Sequence, residues 1–287
     1  IIPLYNKADY IAETLKSVLN QTYCDYEVIV VNDSSTDNSL EVASSFQDER
    51  IHIYTKENEG VSAARNYGIM HAKYDYIAFL DADDIWESDY LECQKKLIGT
   101  YPDAGIYSTA FYSLEKGKRK LRNVLINEHT HFLVHDYFKE SVMNGLSICW
   151  TSSLCLKKEV IKEIPMFRVG IKRGEDLDLW LRIALNYDVA YLNLPKVFYR
   201  TGLSDSLTSD YSKNGEFPYY EWFNFTSESS YYRKYVILVV YIHAKNAFIH
   251  HDYDTCLAEL WSVKTIAWRF KWAERLLLLV ISWIKSK

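Results

Sequence analysis

Short apolar runs alternate with stretches of helical spacing through the first third of the chain. Ile1-Ile2-Pro3-Leu4 reads as the end of a strand. Tyr10, Ile11, Leu15, Val18 and Leu19 then recur at helical spacing. Glu27-Val28-Ile29-Val30-Val31 is a continuous β-branched run, as expected of a strand buried on both faces. Ile51–Tyr54 predicts a short strand, Val61–Ala72 a helix of small and apolar residues, and Tyr76–Leu80 a further strand. Strands alternating with helices predict an α/β fold with a mostly parallel sheet and right-handed crossovers. Such sheets bind ligands at the carboxyl ends of their strands. Tyr5-Asn6, Asp33 and Asp81–Asp84 each follow a predicted strand and should share one edge.

The pattern changes beyond about Tyr107. Residues 107–171 are mixed, with a hydrophilic stretch Lys116–Arg122 that reads as a solvated loop or hairpin. Leu177, Trp180, Leu181 and Ala184 return to helical spacing, with Glu175 and Asp176 at the helix start, where the dipole favours anions. From Phe217 the chain is helical and aromatic; Phe217–Phe223 reads as core packing or as an acceptor platform. The expected organisation is a main domain over 1–210 and a helical extension over 211–287, without internal repeats. At the end of the chain, Lys264, Lys271, Arg275 and Ser282 share one helical stripe. Trp268, Trp272, Leu276, Leu279 and Trp283 share another. The apolar run Leu276–Ile284 is shorter than the roughly 20 residues that span a bilayer. Two readings stay open: a helix at a membrane interface, or one packed on the domain or on a second subunit.

Composition narrows the class. The chain has 287 residues, 48% hydrophobic and 15% aromatic, which supports a sizeable core and excludes disorder. Net charge is −5, which leaves no nucleic-acid footprint. It is unevenly spread: Trp261–Lys287 carries six basic residues and one acid, hence +5, and the remainder −10. The five cysteines are scattered, which argues against a disulfide framework or zinc site and fits a cytoplasmic, reducing setting. No signal peptide is read. The chain opens inside a strand without Met, so a few residues are expected to precede it.

The chemistry concentrates in Asp81-Ala82-Asp83-Asp84. Three carboxylates in four residues repel and raise one another's pKa unless a cation sits among them. Such hard oxygen donors suit Mg²⁺ or Mn²⁺, which in turn hold phosphate oxygens. A lone Asp-x-Asp is commonly a solvated turn, but the shared edge with Tyr5 and Asp33 points to a phosphate-bearing substrate.

Read together, five stretches resemble the inverting family 2 glycosyltransferases of the GT-A fold, of the type that builds bacterial cell-surface polysaccharides. They are Ile2–Asn6, Val30–Asp37, Asn58–Asn66, Phe79–Asp84 and Arg173–Trp180, in the family's order over roughly the first 200 residues. The resemblance implies that Pro3, Tyr5, Asp33 and Arg65 line the nucleotide pocket. A carboxylate such as Asp33 can accept from a uracil imide, Tyr5 can pack on the base, and Arg65 offers a planar fork to base or diphosphate. The bland alternatives are a helix cap for Asp33, core packing for Tyr5 and a surface ion pair for Arg65. The resemblance further implies that Asp83 ligates a divalent cation and that Asp81 contacts the ribose or the ion's waters. Asp84 supports either, positions the sugar, or caps a helix starting near Ile85. Asp176, with Glu175 beside it, is implied as the base that takes the acceptor's proton; two acids at a helix start is the alternative. Trp150 is implied to shape the acceptor site, and Trp180 reads as core.

One departure stands out. Many relatives carry a His a few residues after a Tyr-Arg pair, where it completes the metal site. Here Tyr199-Arg200 is followed by Thr201–Ser206 without His, leaving a water, Ser204 or Asp205 to substitute. The implied partners are a nucleotide sugar, expected to be UDP-linked, and a glycan or lipid-linked acceptor, with the protein expected in the cytoplasm or at the inner face of the membrane through its C-terminal helix. Two other readings compete: a degenerate transferase that binds a glycan or partner, and an aspartate-nucleophile phosphatase.

Overall fold

The computed structural model describes residues 1–203 apart from 126, 146 and 172, and then 219–222, 225–249, 252, 255 and 256. The predicted alternation is present through the first half. β1 (Ile2–Leu4), β2 (Val28–Asn32) and β3 (Ile51–Thr55) form a parallel three-stranded sheet, with Ile2 opposite Val30 and Val30 opposite Ile53. Between them lie α1 (Ile11–Leu19) and α2 (Ser39–Ser44), and α3 (Val61–His71) follows. Every residue of β2 is buried, as its β-branched run requires. α1 turns Ile11, Leu15 and Val18 inward; burying such side chains contributes about 1.5–3 kcal/mol each.

The second half is mixed. β4 (Tyr76–Ala78), β5 (Ile85–Trp86), β6 (Ile106–Glu115), β7 (Lys118–Arg122), β8 (His131–Val134), β9 (Leu154–Lys157) and β10 (Val189–Arg200) form a second sheet. Only β6 and β10 pair parallel there; the other pairs are antiparallel. The two sheets meet at Ile1, whose N donates to Ala78 O (2.8 Å) and whose O accepts from Leu80 N (3.0 Å). The sheet is thus parallel where strands and helices alternate, and antiparallel where hairpins replace the crossovers. Lys116–Arg122 is such a hairpin, with Lys116 and Gly117 both at positive φ. The helix expected near Ile85 is absent: Ile85–Trp86 is a strand on β10, and α4 begins later, at Tyr90–Thr100.

α5 (Tyr137–Asn144), α6 (Lys158–Glu163), α7 (Glu175–Ala184), α8 (Tyr219–Trp222) and α9 (Tyr232–Ile249) cover the mixed sheet. α8 and α9 lie beyond residue 211 yet share its core. Trp222, Tyr235, Val236 and Val240 are fully buried in one cluster with Phe79, Trp180 and Leu181. Tyr137 and Tyr235 join α5 to α9 by a hydroxyl–hydroxyl bond of 2.9 Å. Of the aromatic run 217–223, Trp222 is core; Phe217, Pro218 and Phe223 lie outside the described residues. The amphipathic segment 261–287 lies outside them too. No described helix is long and apolar enough to cross a membrane.

One polar contact sets the position of α7. Asp178, with no exposed surface, accepts from Arg182 Nε and from Trp222 Nε1, both at 2.9 Å. Removing the carboxylate would strand the buried Arg182 charge. Asp178→Ala is therefore expected to cost about 3–5 kcal/mol, read as a lower urea midpoint.

Candidate functional site

The site forms where β1, β2 and β4 end. β1 carries the half-buried Pro3 opposite Val31, and releases Tyr5 with 44% of its surface exposed. The loops after β1 and β2 each hold a non-glycine residue in the left-handed region, Asn6 (φ 50) and Ser34 (φ 56). Such conformations persist only where neighbours over-determine them. Here Asn6 Oδ1 accepts from Thr36 N (2.8 Å), and Ser34 Oγ donates to Lys56 O (2.7 Å), tying the two loops to each other and to β3.

Asp33 is 3% exposed. Its Oδ1 accepts from Glu59 N and Lys56 Nζ, both at 3.1 Å, and its Oδ2 from Gly60 N at 2.8 Å. Gly60 sits at φ 90, ψ 169, which only glycine adopts freely, and it opens α3. Asp33 therefore shapes the loop that starts α3. It does not cap α2, where Asp37 accepts from Ser39 N (2.9 Å).

α3 delivers Arg65 into the interior, 3% exposed. One arm of its fork, Nη2, donates to Asp81 Oδ1 and the other, Nη1, to Glu175 Oε1, each at 2.8 Å. Its guanidinium carbon lies 5.2 Å from the centre of the Phe167 ring. Burial works against its charge, but Asp81, Glu175 and Asp176 outweigh that and hold the guanidinium firmly protonated. Burial likewise lifts Glu175, reinforced by Asp176 and opposed by Arg65, to a pKa of about 7.

The acidic turn splits into three environments. Asp81 stays 29% exposed at its side chain and pairs with Arg65. Asp83, 16% exposed, pairs with Lys7 Nζ at 3.1 Å. Burial raises the Asp83 pKa; Lys7 opposes the shift and Asp81 adds to it. Asp84 has no exposed surface, so the expected contact with a sugar is corrected: its carboxylate braces the turn from inside. Oδ2 accepts from Ser152 Oγ (2.6 Å) and Oδ1 from Arg200 N (2.9 Å). Ser152 Oγ also accepts from Asp81 N (3.1 Å), and Thr14 Oγ1 lies 2.9 and 2.8 Å from the carbonyls of Ala82 and Asp84. Nor does Asp84 cap a helix, since a strand follows it.

Thr151–Ser153 is a short 3₁₀ turn preceded by Trp150. The Trp150 ring stacks on Phe111 (5.3 Å) and meets Tyr199 edge-on (4.7 Å). Thr151 Oγ1 donates to Asp176 Oδ2 at 2.9 Å. Gly174, at φ 71, turns the chain so that Glu175 and Asp176 open α7. Trp180 is fully buried, as expected of core.

Arg65, Asp81, Glu175 and Asp176 thus form one charged group, with Asp83 beside it and Tyr5 and Asp33 at neighbouring strand ends. The sequence did not single out Lys7, Thr151, Ser152 or Lys56. Lys7 had a weak signal, lying two residues after Tyr5 in a strand-end loop; the two hydroxyls had none. Among the described residues, no group of three His, Cys, Asp or Glu side chains is arranged to hold a metal ion. Ser204 and Asp205, the expected substitutes for the missing His, lie outside those residues.

A model of the family described as "Glycosyl transferase family 2" matches residues 1–164, more than half of the chain. The chain belongs to glycosyl transferase family 2. It is 32% identical over 194 residues to the putative teichuronic acid biosynthesis glycosyltransferase TuaG of Bacillus subtilis, covering 67% of this chain and 73% of TuaG. It is 32% identical over 210 residues to glycosyltransferase GlyA of Streptococcus pneumoniae, covering 70% of this chain but 30% of GlyA. An uncharacterized glycosyltransferase of Rickettsia felis is 35% identical over 189 residues, 64% of this chain and 29% of that protein. This chain therefore spans under a third of the length of some relatives. The fold matches Staphylococcus aureus TarS 1-349 in complex with UDP-GlcNAc, with TM-score 0.71 and 18% identity over 90% of this chain and 78% of that one. The expected GT-A architecture, a sheet with helices on its faces and a helical C-terminal part, is present. The family match stops at residue 164, before Glu175-Asp176.

Ser152→Ala leaves a buried carboxylate oxygen without its donor, and should cost about 1–3 kcal/mol, measured by chemical denaturation. Glu175 holds its proton more tightly in the fold than its ordinary value of 4.5. Between pH 4.5 and about 7 the folded chain therefore binds more protons than the unfolded one, so stability should fall as pH rises through that window. Glu175→Gln should flatten that slope in thermal unfolding followed against pH.

Proposed function

We propose that the chain is an inverting glycosyltransferase. It moves a sugar from a UDP-linked donor to a hydroxyl of a saccharide or lipid-linked glycan in cell-surface polysaccharide synthesis. The observation that carries this reading is the Arg65 fork, which has Asp81 of the acidic turn on one arm and Glu175 of the Glu-Asp pair on the other. The UDP-GlcNAc bound to TarS and the teichuronic acid role printed for TuaG support the substrate class.

The residues divide the work. Tyr5, exposed at the end of β1, offers its ring to the base, with Pro3 below it. Asp33 keeps a lone pair for the imide, since each carboxylate oxygen can accept twice. Asp176 is the base: it is partly exposed at the start of α7 and oriented by Thr151. It accepts the acceptor's proton as the hydroxyl oxygen bonds to the anomeric carbon and the diphosphate leaves with its electron pair. Glu175, engaged by Arg65, positions rather than reacts. Trp150 offers an aromatic wall beside Thr151.

The donor set of Asp81 and Asp83 fits a divalent cation of the Mg²⁺ or Mn²⁺ kind, which takes one or two carboxylates and completes its shell with water and phosphate. Bound there, the ion would neutralise charge building on the leaving diphosphate. Lys7 already balances Asp83 from the protein side.

Calorimetry with UDP and Mn²⁺ should show binding that Asp83→Ala weakens about tenfold or more. Asp176→Asn should lower kcat by roughly 10²–10⁴ while leaving UDP affinity in place. A chain that binds no UDP with either metal overturns the reading. UDP binding without transfer or donor hydrolysis across a broad acceptor panel favours the non-catalytic module instead. A beryllium fluoride adduct at Asp81 would favour the phosphatase.

A further inference from the structure

The hairpin β6–β7 carries a charge that the site chemistry leaves unused. From Lys116 to Arg122 five of seven residues are cationic and none is acidic, and all are exposed. Among the described residues β7 pairs with β6 alone, at the edge of the sheet. Lysines protect such edges from pairing with other chains. Edge protection does not require that they line up with a binding site.

Here they do line up. In the antiparallel register Arg122 lies opposite Phe111, Lys120 opposite Ser113 and Lys118 opposite Glu115. Directly opposed residues share a face, and Arg122 Nε confirms it by donating to Ser113 Oγ (3.2 Å). Arg119 and Leu121 take the other face, where Arg119 covers the Phe198 ring at 4.6 Å. The face of Arg122 is also that of Phe111, which stacks on Trp150, and of Tyr199, which is aligned with Ser113. Trp150 leads directly to Thr151 and its bond to Asp176. The hairpin therefore leaves the sheet at the acceptor side of the site. Its root is fixed there by Thr201 N donating to Leu114 O (3.0 Å), one residue after Arg200 meets Asp84.

Alternate residues of an extended strand lie about 7 Å apart, so Arg122, Lys120 and Lys118 set three cations at regular intervals over about 14 Å. The row begins at the aromatic wall beside the base and runs outward. Among the paired residues of the hairpin, Glu115 is the one acid on that face, beside Lys118 at the turn.

We propose that this row is an acceptor subsite for an anionic glycan, one whose repeating units carry carboxylate or phosphodiester groups at comparable spacing. The growing end sits at Trp150 and Asp176, and the preceding units lie along Arg122, Lys120 and Lys118. The proposal rests on the acceptor reading above; the subsite gives that acceptor its charge class.

Fluorescence anisotropy with three labelled oligomers of matched length tests it: a glycerol-phosphate oligomer, an oligogalacturonate and a neutral dextran. The chain should bind one or both anionic oligomers and not the dextran. The substitution K118Q/K120Q/R122Q should weaken the bound oligomer about tenfold at low salt, with the difference shrinking as salt screens the row. K73Q/K96Q/K139Q removes the same number of exposed charges elsewhere and should leave binding intact. Thermal unfolding of the hairpin variant verifies that it folds, and its UDP affinity, measured in the same samples, should match that of the unaltered chain. Equal affinity for dextran, or an equal loss in both triple variants, overturns the proposal. So does retention by phosphatidylglycerol vesicles without oligomer binding, which would make the hairpin a membrane contact. Loss of UDP binding in the unaltered chain strikes the transferase reading instead and leaves the oligomer result to be judged by itself.

Discussion

A buried guanidinium is tolerated only if acceptor oxygens close on both arms of its fork and at least one of them carries a compensating charge. Arg65 meets that condition with one arm on Asp81 and the other on Glu175. Everything around it serves to hold those three groups in place. α3 must enter with its start pinned by Asp33 and Gly60, and Gly68 must pass so close to β1 that a Cβ there would lie 2.6 Å from the Ile1 side chain. The acidic turn must be held from beneath by Asp84, Ser152 and Thr14. α7 must present its first turn to Arg65, and Asp178 fixes it through Arg182 and Trp222. Breaking one of the ion pairs would leave a buried charge without its counterpart, which is strongly destabilising.

The same arrangement divides the acids by environment. Asp84, enclosed, is lifted well above the carboxylate range by burial, then by Asp83 and Asp81. Glu175 sits near neutrality under burial and its neighbour Asp176. Five carboxylates from two short stretches of sequence thus occupy different roles because they differ in solvent and in partner, while their chemistry is the same.

Much of this was legible in advance where local pattern and burial coincide. β2 could be read because both of its faces are covered, and α7 because its apolar spacing and its acidic start agree with the helix dipole. The order of the motifs located the strand ends. What stayed hidden depends on contacts distant in sequence. Nothing local marks Ser152 as the partner of Asp84, 68 residues away, or Lys7 as the counter-charge of Asp83. The strand at Ile85–Trp86 was misread as a helix start because two residues carry no period of their own; β10 makes them a strand by pairing with them. The antiparallel half of the sheet escaped because its hairpins lie in a stretch where polar and apolar positions follow no single repeat.

Arg65 reaches Asp81, 16 residues away in sequence, and Glu175, 110 residues away. One guanidinium is therefore a clasp that joins α3, the acidic turn and α7, three stretches that local pairing alone would leave independent. A substitution at any one of the three residues alters the setting of the other two.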